Sequence, residues 1–172
     1  MPINVIVSAS ALLIGAVACA TDVRTRRIPN VLTLGAALAG VVFHTMTSGM
    51  DGALAAGGGW VVGLLLFLPF FALGGMGGGD VKLLAALGAW LGPQETLWLA
   101  VYAGIAGGVL GVAVAVSRGY LRTALSNVAL MFGYWSHVGI KRVPGLTLEA
   151  SGAPRLAYAI PILVGTVVTI WR

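Results

Sequence analysis

Six apolar runs dominate this chain, and most of them have the length of a membrane-crossing helix. They occupy roughly residues 3–20, 31–47, 53–73, 81–92, 97–116 and 155–171. A helix needs about 20 predominantly apolar residues to cross the hydrocarbon core of a bilayer. Five of the runs reach or approach that length, while the fourth is short. The sequence therefore predicts an all-α, polytopic integral membrane protein with about six transmembrane helices.

The scarcity of charge supports the same fold class. Only 9% of the residues are charged, whereas soluble domains carry about 25%. The 26 glycines suit closely packed membrane helices, since small residues let two backbones approach each other. The single cysteine, Cys19, excludes a disulfide framework within the chain. The length fits one domain, residues 1–172.

The segment 117–154 is more polar than the rest and is predicted to be a cytoplasmic loop that contains a membrane-surface helix. We place this helix at about 119–135, because apolar side chains recur there at helical spacing beside polar ones. The apolar positions are Leu121, Leu125, Val128 and Phe132.

The basic residues predict an orientation. If the N-terminus is outside and six helices follow, nine of the ten lysines and arginines lie on the inner side. These are Arg24, Arg26, Arg27, Lys82, Arg118, Arg122, Lys141, Arg142 and Arg155. The positive-inside rule then places both termini outside the cytoplasm. Because the charges fall between apolar runs, they indicate membrane topology and not nucleic-acid binding.

Two carboxylates are predicted to share the inner face of the membrane. Asp22 ends the first run and Asp80 begins the fourth. A fourth helix over 81–92 would be about 18 Å long, against about 30 Å of hydrocarbon. Either the bilayer thins locally or Asp80 lies below the inner surface, beside the glycine-rich backbone of 74–79. Irregular backbone at that depth must line a wet cavity or be buried in protein.

Such a pair of aspartates is suited to acid–base chemistry. Mutual repulsion keeps one carboxyl protonated and the other ionised, so one donates a proton while the other accepts one. Structural interpretations are open as well: Asp80 is a candidate helix N-cap or a partner of Lys82, and Asp22 a candidate partner of the arginines that follow it. The residues alone do not decide between these roles.

A resemblance favours the catalytic role. Residues 77–80, "GGGD", fit the GxGD motif of intramembrane aspartic proteases. The stretch "GGGDVKLLAALGAWLG" resembles the motif region of the type IV prepilin peptidase family. The stretch "DVRTRRIPN" from Asp22 is similar to the first aspartate region of that family, and "PRLAYAIPI" at 154–162 to its terminal helix. The resemblance covers about residues 5–165.

The resemblance implies an endopeptidase that removes the leader of prepilins and pseudopilins at the cytoplasmic side of the bacterial inner membrane. Asp22 and Asp80 match the catalytic aspartates, and no metal or other cofactor is implied. Gly77, Gly78 and Gly79 would let an extended substrate approach, and Lys82 is included with them as substrate-binding. The chain looks like the short, peptidase-only form of tight-adherence pilus systems, which puts N-methyltransferase activity in doubt.

Two other functions stay open at this point. One is a small proton-coupled transporter in which Asp22 and Asp80 relay protons; the other is a non-enzymatic membrane assembly factor. A transporter requires a polar path across the bilayer, whereas the charges here cluster on one side. The expected partners are prepilin substrates and the lipid bilayer, with no nucleic acid, and the sequence predicts no oligomeric state.

Overall fold

The computed structural model describes residues 4–143, 145–146 and 156–172, and the regular elements in them are all α-helices. Three are long and apolar enough to cross a membrane: α1, α2 and α4. The predicted all-α membrane fold is thereby confirmed. The six helices are α1 Val5–Thr25, α2 Asn30–Ala72, α3 Gly78–Leu91, α4 Pro93–Ser117, α5 Leu121–Val138 and α6 Ala159–Trp171.

The longest helix, α2, is a hairpin of two helices. Its 43 residues would reach about 65 Å if straight, about twice the thickness of the hydrocarbon core. The backbone breaks at Gly49, where φ is 62° and ψ is −139°, a conformation that glycine adopts without a steric penalty. We call residues 30–48 the first arm and residues 50–72 the second arm. They correspond to the predicted apolar runs 31–47 and 53–73.

The first arm runs parallel to α3. Lys82 Nζ donates a hydrogen bond to Asn30 Oδ1 at 2.9 Å. Further along both helices, Trp90 Nε1 donates to the carbonyl oxygen of Ala36 at 2.8 Å. Since the residue numbers rise together along the two helices, the first arm and α3 point the same way.

The second arm runs antiparallel to α3 and touches it backbone to backbone. Gly59 faces the carbonyl of Gly88, and Gly63 faces the backbone of Leu84, so the residue numbers rise along one helix and fall along the other. Neither glycine leaves room for a Cβ atom. The close approach that the glycine content predicts therefore occurs inside the chain.

Helix α3 lies at the centre of the bundle. Val81 and all residues from 83 to 90 are buried, although a helix on the surface of a bundle buries only one face. The helix ends where Gly92 adopts φ 81°, and Pro93 then opens α4. The sequence predicts that this helix starts at residue 80 or 81. In the structure it starts earlier, at Gly78.

Helices α4 and α6 pack antiparallel. Gly165 lies against the backbone of Leu99 and Ala103, and at the end of the chain Arg172 pairs with Glu95 at 2.5 Å. This ion pair lies at the end of the bundle opposite to Asp80. The sixth apolar run is helical over 159–171, and residue 155 of that run lies outside the described residues.

The predicted surface helix is confirmed as a helix. It spans Leu121–Val138, and none of its residues is buried. Arg142 Nε, a few residues beyond it, donates to the carbonyl oxygen of Ala72 at 2.6 Å, which ties this segment to the end of the second arm. Its location on the membrane surface stays a prediction. Residues 144 and 147–155 of the predicted 117–154 loop lie outside the described residues.

Candidate active site

Asp22 is a buried carboxylate in the last turn of α1. Its side chain is only 8% exposed. The Oδ2 atom accepts a hydrogen bond from the backbone N–H of Ala159 at 3.3 Å, and Ala159 is the first residue of α6. The first N–H groups of a helix have no partner within the helix, and Asp22 satisfies one of those of α6.

Asp80 is the third residue of α3 and is partly exposed. Its carboxylate accepts a hydrogen bond from the backbone N–H of Gly77, the N-cap residue of the helix. This contact is one half of a capping box, in which the third helical residue reaches back to the N-cap. Asp80 itself is therefore not the N-cap, and that structural interpretation is wrong.

The fold brings these two carboxylates together from positions far apart in the sequence. Asp22 and Asp80 are close enough for their charges to repel one another. Helix α1 packs against α3, which places the last turn of α1 beside the first turn of α3. Lys82 is exposed and bonded to Asn30, so it does not neutralise Asp80 as one structural interpretation required.

The three glycines before Asp80 make room for side chains of this chain itself. A Cβ atom on Gly77 would lie 3.0 Å from Asp80 Oδ2. One on Gly78 would meet the ring of Phe71 at 3.3 Å, and one on Gly79 would meet Ile28 Cβ at 3.2 Å. Gly77 in particular lets the Asp80 carboxylate fold back over the start of its helix. Their predicted contact with substrate stays a proposal.

Tyr158, which the sequence analysis did not single out, also lies at this site. It directly precedes α6, and the next residue, Ala159, donates its backbone N–H to Asp22. Its ring packs edge-on against Phe67, with centroids 6.0 Å apart and planes at 73°. The sequence offered only a weak signal, a polar aromatic residue between two alanines at the start of the last apolar run.

The site lies below the end of α4. The phenol of Tyr158 faces Gly107 of α4, and α4 continues from there to Ser117, about 15 Å further along its axis. Exposed apolar side chains, such as Val109 and Val112, cover much of this extension. The predicted depth of the two aspartates below the membrane surface stays a prediction.

Two carboxylates that are close enough to repel one another are suited to acid–base chemistry, because the charge of one disfavours ionisation of the other. The ionised carboxylate then serves as a general base and the protonated one as a general acid. Asp22 accepts one backbone N–H at the start of α6, and Asp80 accepts one at the start of α3. The arrangement can activate a water molecule and polarise a carbonyl group.

Comparison with known proteins gives one family. The sequence profile of the type IV leader peptidase family matches residues 9–112, a stretch that contains both aspartates. The prepilin leader peptidase/N-methyltransferase of Pectobacterium carotovorum is 37% identical over 124 residues, which is 69% of this chain and 43% of that protein. The protein of the same name from Dickeya chrysanthemi is 36% identical over 154 residues, 81% of this chain and 52% of that protein.

One shorter relative is matched over most of its own length. Leader peptidase HopD of Salmonella typhimurium is 38% identical over 122 residues, which cover 66% of this chain and 76% of that protein. In contrast, the chain spans about half, or less, of the longer relatives. No solved structure matches the chain significantly.

Proposed function

The chain belongs to the type IV leader peptidase family, and we propose that it is a membrane-embedded aspartic endopeptidase that removes the leader peptide of type IV prepilins or pseudopilins. The observation that carries this proposal is that the packing of α1 on α3 brings Asp22 and Asp80 close enough to interact. We infer that the two carboxylates line a recess beside the start of α6. The longer relatives are named for a peptidase and an N-methyltransferase activity. We propose only the peptidase activity for this chain, because the family profile that matches it is that of the leader peptidases.

In the proposed reaction, the ionised aspartate takes a proton from a water molecule as the water oxygen attacks the carbonyl carbon of the scissile peptide. The protonated aspartate donates its proton to the carbonyl oxygen, which gives a neutral tetrahedral diol. Collapse of this diol breaks the C–N bond: one hydroxyl of the diol gives its proton to the aspartate that is now ionised, and the other aspartate gives its proton to the leaving nitrogen. Each carboxyl group thus acts once as an acid and once as a base, so the scheme needs only the two aspartates and a water molecule.

The position of the recess supports a cut just before the apolar helix of the substrate. The substrate helix remains in lipid while the segment before it extends into the recess, where Gly77, Gly78, Gly79 and Lys82 are the proposed contacts. Lys82 is exposed, and the glycine run directly precedes Asp80; we propose that together they form the mouth of the site. We propose that this mouth faces the cytoplasm across the bacterial inner membrane.

Co-expression with candidate prepilins tests the function directly. Removal of the leader is expected to increase the mobility of the prepilin on a gel, and N-terminal sequencing of the product is expected to give a cut immediately before the apolar helix. The transporter hypothesis predicts no cut. The relatives described above carry peptidase names, and none of them is named as a transporter.

The proposed orientation gives a prediction for cysteine accessibility. After replacement of Cys19, a cysteine at Arg26 should react only with reagents supplied from the cytoplasm, because the basic residues at this end of the bundle are expected to stay inside. A cysteine at Ser48, beside the hairpin turn at Gly49, should react only from the opposite side. Labelling of Ser48→Cys from the cytoplasm would contradict the orientation but not the fold.

A further inference from the structure

Helix α5 has one apolar face that the described part of the chain leaves open. At 3.6 residues per turn, its side chains Leu121, Leu125, Val128 and Phe132 fall within about 60° of one another around the helix axis. We call these four residues the apolar face of α5. Leu125 is 62% exposed and Phe132 is 61% exposed. A contiguous apolar surface of this kind indicates a partner that covers it.

The chain that follows α5 packs on the opposite side of the helix. Ser126, Leu130 and His137 lie about 130° to 170° around the axis from the apolar face. They line a cavity whose other wall includes Val143 and Leu146. These residues after α5 therefore cover its more polar side, and the apolar face is left to a partner outside the described chain.

Both ends of the α5 segment are attached to helices long enough to span the membrane. Helix α4 ends at Ser117, just before α5 begins. Beyond α5, Arg142 Nε donates to the carbonyl oxygen of Ala72, the last residue of the second arm, at 2.6 Å. The residues 139–142 reach at most about 14 Å, whereas α5 is about 27 Å long. The far end of α5 is thus returned to the bundle, which keeps the helix beside the bilayer around these spans.

The charged residues at the two ends of α5 are all basic. Arg118 and Arg122 lie at its start, Lys141 and Arg142 follow its end, and all four are exposed. None of the residues 96–148 is an aspartate or a glutamate. An apolar helix face between two groups of cations is complementary to an anionic bilayer surface, where acyl chains cover the face and phosphate groups pair with the cations.

We propose that α5 binds anionic phospholipids, with its apolar face in the acyl-chain region and its terminal cations on the headgroup phosphates. The cations are Arg118, Arg122, Lys141 and Arg142, whose guanidinium group has further N–H donors besides the one on Ala72. The apolar face beside these cations favours a lipid over free phosphate. This inference goes beyond the proposed peptidase function and does not depend on it.

Quenching by brominated lipids tests which side of α5 meets the bilayer. The full chain, with Cys19 replaced by serine, is placed in nanodiscs of phosphatidylcholine and phosphatidylglycerol with a fluorescent label at one introduced cysteine. Bromine on the acyl chains should quench a label at Phe132→Cys or Leu125→Cys strongly. It should barely quench one at Thr123→Cys, which is exposed on the other side of the helix. Equal quenching on the two sides, or none at 125 and 132, would overturn the proposal.

The choice of lipid is tested when only one of the two lipids carries bromine, at equal mole fractions. At the Phe132→Cys label, the local concentration of phosphatidylglycerol should exceed that of phosphatidylcholine at least about fivefold, which is the factor that one cation contributes at an anionic surface. High salt should reduce this excess. Arg122→Gln with Lys141→Gln should remove most of it. The matched control is Arg24→Gln with Arg27→Gln, two exposed arginines beside the end of α1, which should keep the excess. Equal quenching by the two lipids in the wild type would refute the recognition of anionic lipid.

Discussion

Asp22→Asn and Asp80→Asn are each expected to abolish prepilin cleavage, with a loss of at least about a thousand-fold in kcat, while the protein stays folded and inserted. Asparagine has nearly the size of aspartate, and its amide oxygen can still accept the N–H of Ala159 or of Gly77 that the carboxylates accept. It cannot take up or release a proton at neutral pH. A structural role would survive the substitution, whereas acid–base catalysis would not.

The assay is cleavage of a co-expressed prepilin, with the Tm of each purified variant as a check on folding. The double variant should be little worse than either single one, because residues that act as a unit give losses that do not add. Asp51→Asn is the matched control, since Asp51 is exposed at the hairpin turn near Gly49, at the other end of the bundle. Near-normal cleavage by either dyad variant would rule out the aspartic mechanism for this chain.

Gly59→Ala is expected to destabilise the protein by about 3 kcal/mol, because an added methyl group would overlap with the backbone of Gly88. Two packed helices cannot relieve this overlap by a side-chain rotation, since both sides of the contact are backbone. The second arm of α2 would have to move away from α3 and lose the packing that buries α3. Gly88→Ala places the methyl group on the opposite side of the same contact and should have a similar effect.

Gly57→Ala is the control for this substitution. It lies on the same arm, two residues away, and its Cβ atom would meet open space. Alanine also favours a helix over glycine by up to about 1 kcal/mol, so this variant should unfold at the wild-type temperature or above. Unfolding in detergent, followed by circular dichroism, measures both. Equal stabilities for the two variants would mean that the backbone contact does not hold the helices together.

The sequence predicts the helices well because their apolar runs are long and separated by polar or glycine-rich stretches. It also predicts that Asp22 and Asp80 lie at one end of the bundle, since successive helices alternate in direction. The start of α3 is predicted less well. Gly78 and Gly79 have low helix propensity, yet both are helical because Phe71 and Ile28 pack against them.

The contacts of the last helix could not be predicted from the sequence. That Tyr158 meets Gly107, and that Ala159 meets Asp22, depends on how α6 packs between α1 and α4. Apolar periodicity gives the face that a helix buries but not its neighbour or its register. The same holds for Gly59 and Gly88, because a high glycine content predicts close helix packing but not which residue each glycine meets.

The burial of α3 changes how the protein depends on its lipid environment. With 14 residues the helix is about 21 Å long, and a lipid-exposed helix of that length would suffer hydrophobic mismatch with a hydrocarbon core of about 30 Å. Because α3 is enclosed by its neighbours, the acyl chains meet α1, α2 and α4 instead. The height of Asp80 along the membrane normal is then fixed by protein packing, so lipids with shorter or longer acyl chains should leave the depth of the cut unchanged.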